Sequence, residues 1–166
     1  MKTPTKPPSN VVACRNTHLQ YLCERMRPDE IEQYLALTDV EAYDPDVAAR
    51  GFMNIAGLKF TVVDTDGLPL AAGGYWEVSQ GVWQSWMVGS CDGWSTHWRS
   101  MTKAVRWLMG GLFEMGARRL QTNGLASRTK AIEWYERSLG LRREGTMRAM
   151  GRHGEDVAFF ARLAED

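Results

Sequence analysis

Three groups of side chains in this sequence have the types and spacing to do chemistry. The first lies in the run from Ser127 to Thr146, S-R-T-K-A-I-E-W-Y-E-R-S-L-G-L-R-R-E-G-T. Ala131, Ile132, Tyr135 and Leu139 fall on one side of a short helix that stops at Gly140, where a strand starts at once. Tyr135 brings a phenol whose ordinary pKa of roughly 10 keeps it protonated at neutral pH. The second group is Glu77, a carboxylate near the end of a strand, with Ser79 and His97 as further proton carriers. The third is the loop Gly89-Ser90-Cys91-Asp92-Gly93-Trp94-Ser95-Thr96, in which two glycines and small hydroxyl residues lead into a helix. Asp92 adds a fixed negative charge there and Trp94 adds bulk, while Arg99 and Lys103 bring positive charge to the first turns of the helix. Cys91 is a thiol with no neighbouring base in sequence. Each residue also has a structural reading: Tyr135 as a core aromatic, Glu77 as an exposed strand-end charge, His97 as a solvated or capping residue, Cys91 as a small loop residue.

The elements that must position these groups follow from periodicity. Val11 to Arg15 predicts a short first strand and His18 to Met26 a helix. Arg27-Pro28-Asp29-Glu30 predicts a helix start, because Pro suits the first turn and acidic residues complement the helix dipole. Asp44-Pro45-Asp46 opens a third helix toward Phe52. From Leu58 the period changes to alternation, giving a strand, a turn at Asp64 to Gly67, a return strand from Leu68 to Val78, a turn at Ser79-Gln80-Gly81, and a third strand from Val82 to Val88. Trp98, Met101, Val105, Leu108, Leu112 and Met115 then form one apolar stripe of a long helix, capped by Ser95 or Thr96 and closed by Gly116. Gly110-Gly111 inside that helix costs about 1 kcal/mol per glycine against alanine, and close packing against the sheet is the expected reason. Arg118 to Leu125 is the next strand. After the Tyr135 helix, glycines at 140, 145, 151 and 154 punctuate a hairpin of Arg142 to Met150 and Asp156 to Leu163.

Composition excludes several roles. A chain of 166 residues fits one domain that buries roughly 70% of its unfolded surface. The expected division is a mobile tail over residues 1–9 and a single domain over 10–166. Twenty basic and twenty acidic residues cancel, which argues against a nucleic-acid partner and leaves Arg142, Arg143, Arg148 and Arg152 as a local basic patch only. No apolar run reaches the roughly 18 to 20 residues of a membrane span, and the N-terminus lacks a signal-peptide apolar region. Cys14, Cys23 and Cys91 form no C-x-x-C, so no metal is expected and a cytoplasmic setting is. Seven tryptophans are expected in the core or facing a partner, with Trp76, Trp83, Trp94 and Trp98 partly exposed.

The Ala131-to-Tyr135 spacing and the Gly140 stop resemble the C-terminal signature of the GCN5-related N-acetyltransferases (GNAT superfamily). The element order resembles that family over roughly residues 10 to 164, and the motif-level likeness is confined mainly to 117 to 163. The resemblance implies an α/β GNAT fold with a mixed, mostly antiparallel six- to seven-stranded sheet flanked by helices. It implies acetyl-CoA as cofactor and transfer of its acetyl group to an amine of a small molecule or protein. Pantetheine would lie between the Val82–Val88 and Arg118–Leu125 strands. Met87 and Val88 N–H groups would polarise the thioester carbonyl. Tyr135 would protonate the departing thiolate, and Glu77 would deprotonate the amine through water. The loop, through Gly89, Gly93, Ser95 and Thr96 with Arg99, would hold the pyrophosphate. The sequence departs from the family there, because the Arg/Gln-x-x-Gly-x-Gly/Ala pattern is missing. It departs again at Arg128, where many members have asparagine; Asn123 lies further back. The run Leu68-Pro-Leu-Ala-Ala-Gly-Gly and the tryptophan-rich strand and helix are similar to degenerate GNAT-like proteins of tailed bacteriophages. That likeness implies an alternative role without catalysis, as a virion component or a module that binds a host protein.

Overall fold

The sheet that organises this chain is built from β1 (Val11–Ala13), β2 (Leu58–Val63), β3 (Pro69–Ser79), β4 (Val82–Gly89), β5 (Arg119–Leu125), β6 (Arg142–Met147) and β7 (Val157–Leu163). The structure is a computed structural model and describes residues 6–166. Met1 to Thr5 of the expected tail lie outside the described residues. The strand order is β1-β2-β3-β4-β5-β7-β6. All neighbours are antiparallel except β4 and β5. The parallel pair follows from the crossover helix between them, since parallel strands cannot be joined by a tight hairpin.

Among the described residues six α-helices flank the sheet: α1 (Asn16–Cys23), α2 (Pro28–Leu37), α3 (Pro45–Asn54), α4 (Cys91–Thr96), α5 (Trp98–Glu114) and α6 (Thr129–Glu133). Pro28 and Pro45 open α2 and α3, and the Asp44 carboxylate caps α3 by accepting from the Asp46 and Val47 N–H groups. One face of the sheet packs under α5, where Met101, Ala104, Val105, Met109 and Leu112 meet Phe60, Val62, Leu120 and Phe160. The other face packs under α1 and α3, where Leu19, Leu22, Ala48 and Ala49 meet Ala72 and Val88. No helix among the described residues is long and apolar enough to cross a membrane.

Four local readings are corrected by the structure. The helix after β4 does not begin at Ser95 or Thr96. A separate six-residue helix, α4, begins after Ser90, whose side chain accepts from the Gly93 N–H, and α5 opens after His97. The apolar stripe of α5 is buried at its centre but not at its ends, where Trp98 and Met115 are exposed. A Cβ added at Gly110 or Gly111 meets nothing within 4 Å, so close packing does not account for that pair, and nothing else in the structure does. The Tyr135 helix is α-helical only to Glu133 and widens to a π turn over Trp134–Ser138. There the Leu139 N–H reaches back to the Trp134 carbonyl. Gly140 then takes φ +69°, and the Leu141 N–H bonds the Tyr135 carbonyl at 3.0 Å. Gly116 does close α5 as expected. With φ +101° it lets its own N–H and that of Ala117 return to Phe113 and Leu112.

Candidate active site

β4 and β5 run side by side for only three residue pairs, Val82 with Arg119, Trp83 with Leu120 and Gln84 with Gln121. A polar ladder fixes the point of divergence. Gln121 donates to Gln84 Oε1 at 3.1 Å, Arg119 Nε donates to Gln121 Oε1 at 2.7 Å, and Arg119 Nη1 donates to Glu144 at 2.8 Å. Beyond Gln84 and Gln121 the strands part. The gap opens into a cavity of about 970 Å³ that passes between the two faces of the sheet. On the α5 side it is lined by Met87, Trp94, Val105, Trp134 and Tyr135, and on the α2 and α3 side by Tyr34, Phe52, Trp76 and Trp86. Phe52 stacks on Trp86 with centroids 5.1 Å apart, and Tyr34 tilts against Phe52 at 5.8 Å.

The alternation of an antiparallel strand decides which β4 amides face this gap. The Ser90 N–H bonds the Leu70 carbonyl, toward β3, and the Gly89 N–H points the other way, to Glu30. Two residues before Gly89, the Met87 N–H therefore faces the gap, while that of Val88 faces β3. Of the two amides expected to meet a carbonyl oxygen, Met87 is placed for it. Val88 is instead a core residue under α1.

At the wide end of the gap sits a buried charge network. Glu30 on α2, 8% exposed, accepts from the Trp94 indole at 2.8 Å and from the Gly89 N–H at 3.3 Å. Arg27 and Arg128 approach the same carboxylate at 3.6 and 3.9 Å. Arg128 also donates to Asp29 at 2.9 Å and to Gln33 at 3.0 Å. Gln33 in turn accepts from the Leu125 N–H at 2.9 Å, so α2 bridges the ends of β4 and β5. The two carboxylates move in opposite directions. Burial raises the Glu30 pKa despite both guanidinium groups. Burial also works against Asp29 ionising, but the hydrogen bond and charge of Arg128, with the charge of Arg27, outweigh it and lower the value. The difference is depth, because Asp29 is 44% exposed at the rim.

Tyr135 is partly buried against this network. Its ring packs on Phe160 at 5.4 Å and on Trp134 at 5.8 Å. Its hydroxyl lies over Gly124, where an added Cβ would be 3.6 Å from the oxygen and 3.0 Å from Gln33 Oε1. Burial raises the phenol pKa, Arg128 draws it down by charge and hydrogen bond, Glu30 adds to the rise, and burial prevails. The group is therefore a protonated phenol at neutral pH.

The remaining expected residues lie elsewhere. Glu77 accepts from the Gly81 N–H at 2.7 Å and closes the β3–β4 turn, beside a separate cavity lined by Gln80, Trp83 and Arg118. The Ser95 and Thr96 side chains bond within α4. Arg99 lies over the Trp98 ring at 5.4 Å. Gly89 and Gly93 are sealed: an added Cβ would be 2.3 Å from the Trp94 indole nitrogen at Gly89 and 2.3 Å from the Leu70 carbonyl oxygen at Gly93. The fit to coenzyme A is thus divided. The gap and the Met87 amide suit a pantetheine thioester, and the loop that should cradle a diphosphate is closed. Sequence reasoning missed Glu30, Arg27 and Gln33. Glu30 carried only the signal of a helix-dipole acid, and its partners lie 59 and 64 positions away.

No protein-family model and no curated protein matches the sequence. Solved structures do match. An acetyltransferase (GNAT family) from Bacillus anthracis shares 15% identity over 94% of this chain and 95% of that one, with a TM-score of 0.71. A GCN5-related N-acetyltransferase from Brucella melitensis shares 16% over 98% and 83%, with a TM-score of 0.71. A GNAT superfamily phosphinothricin acetyltransferase from Sinorhizobium meliloti, in complex with AcCoA, shares 17% over 92% and 86%, with a TM-score of 0.64. At such identities the likeness is one of architecture, and with the parted β4 and β5 strands it establishes that this chain has the GNAT fold.

Proposed function

We propose that the chain is an acyltransferase that moves an acetyl group from acetyl-CoA to an amine within the gap between β4 and β5. The observation that carries this reading is the parting of the strands beyond Gln84 and Gln121, which turns the Met87 amide and Tyr135 toward one cavity. The donor, when bound, supplies an activated thioester. The Met87 N–H is aimed where a carbonyl oxygen gains charge, which is where a fixed donor lowers a barrier most. Tyr135 holds a proton at neutral pH beside the cavity and can release it to a departing sulfur. The charge of Arg128 draws the phenol pKa down against burial, which eases that release. The aromatic chamber of Tyr34, Phe52, Trp76 and Trp86 is the acceptor side. Glu30 is already engaged by two N–H donors and two guanidinium groups, so removal of the amine proton falls to water. Glu77, at the far turn, takes no part. The test is incubation with acetyl-CoA and a panel of small amines and lysine peptides, read by mass spectrometry. An acetylated product supports the reading; none from any amine contradicts it.

A second reading keeps the scaffold without the chemistry, as a phage virion component or a module that binds a host protein. The closed loop at Gly89 and Gly93 and the exposed Trp98 beside it favour it. A folded chain that gives no heat with millimolar acetyl-CoA and no acetylated product decides for this alternative.

A further inference from the structure

We infer that the chain recognises its acyl donor through the pantetheine thioester half alone, and that the nucleotide diphosphate half gains no hold on the protein. The inference rests on the acyl-transfer reading and sharpens which part of the donor is bound.

A diphosphate is held at such a loop by free backbone N–H groups, by close approach at glycine and by positive charge. Within the loop the first two are largely withdrawn, and unpaired positive charge remains only beyond it, at Arg99 and Lys103 on α5. The Gly89 N–H is given to Glu30, that of Ser90 to Leu70, that of Gly93 to the Ser90 hydroxyl, that of Trp94 to the Ser90 carbonyl, and that of His97 to Gly93. The surfaces above both glycines are filled, by the Trp94 indole and by the Leu70 carbonyl. Two guanidinium groups at this mouth, Arg27 and Arg128, are shared between Glu30 and Asp29, so the carboxylate of Glu30 is already the anion they serve. Asp92 adds an exposed negative charge to the loop. At the start of α5, Arg99 lies over the exposed Trp98 ring. The strand gap beneath remains open beside Met87 and Tyr135.

The experiment is calorimetric titration of the full chain with acetyl-CoA, acetyl-pantetheine and 3′,5′-ADP at low and high salt. Acetyl-CoA and acetyl-pantetheine are expected to bind within about threefold of each other, where tenfold would be about 1.4 kcal/mol. Neither affinity should move with ionic strength, because no phosphate charge is paired, and 3′,5′-ADP should give no heat. Binding of acetyl-CoA about tenfold or more tighter than acetyl-pantetheine, or heat from 3′,5′-ADP, overturns the inference and leaves acyl transfer standing. Failure of both thioesters to bind overturns the inference together with the reading beneath it.

Discussion

Glu30 Oε1 accepts the indole N–H of Trp94 at 2.8 Å, joining α2 to α4 across 64 positions of sequence. The other oxygen of the same carboxylate takes the last amide of β4, at Gly89. α2 is thereby tied to the wide end of the strand gap, and through Gln33 and Arg128 it is tied to β5 as well. A buried carboxylate of this kind is costly unless paired. Its pairing fixes the mouth of the cavity.

Arg128→Ala removes the cation that Asp29, Glu30 and Gln33 share. Arg27 still faces both carboxylates, so the cost is that of lost charged hydrogen bonds to Asp29 and Gln33, about 1.5–3 kcal/mol. Chemical denaturation should show this loss. Arg128→Ala combined with Glu30→Ala should lose clearly less than the sum of the two single changes, because the residues couple directly. Additive effects would show that the network contributes nothing as a unit.

Gly93→Ala should destabilise the fold by about 1–3 kcal/mol, the usual cost of overpacking. The added methyl would lie 2.3 Å from the Leu70 carbonyl and 3.2 Å from Met101 Sδ, and backbone has to move to admit it. An unchanged thermal midpoint would mean that the loop is not closed against β3.

Much of the fold was legible because long amphipathic segments and turn residues speak locally. The alternation of β2, β3 and β4, the stripe of α5 and the Gly116 and Gly140 stops each depend on neighbours a few positions away. The place of Tyr135 on its short helix was legible for the same reason. What escaped depends on distance. Glu30 and Gln33 look like ordinary first-turn and surface residues of α2, and only the folded sheet brings Gly89, Leu125 and Arg128 to them. The glycines at 89 and 93 suggested an open anion loop, whereas their lack of side chains admits Trp94 and the Leu70 carbonyl. At Glu77 a strand-end carboxylate reads the same in sequence whether it faces a substrate or, as here, accepts from its own hairpin turn.

Stability should be flat near neutral pH with respect to the tyrosines and should fall above about pH 10. Burial raises the pKa values of Tyr34, Tyr43, Tyr75 and Tyr135 in the folded chain. Below the ordinary phenol value both states hold the proton. Above it the unfolded chain releases its proton first, and stability is lost until the folded phenols ionise too. Thermal midpoints measured across alkaline pH check this, with Tyr135→Phe reducing the slope. By the same argument Tyr135 remains a proton donor through neutral pH, so a rate that falls below pH 9 for loss of its proton would contradict the assignment.

The three thiols should differ in reactivity. Cys91 is exposed. Cys23 is buried, and that burial pushes its pKa up to about 12, so little thiolate forms at pH 8. Timed alkylation read by peptide mass spectrometry should label Cys91 first and Cys23 last. Equal rates at the two sites would mean that the α1 core opens readily.

The most direct test of the account is the turnover of Tyr135→Phe against the parent chain at saturating acetyl-CoA and amine. Phenylalanine keeps the packing against Phe160 and Trp134 and removes the hydroxyl that carries the proton. The account predicts that the parent acetylates an amine and that the variant, folded and still binding donor, loses about 10²-fold or more in kcat, the scale of a general acid. Equal kcat for the two proteins would contradict it.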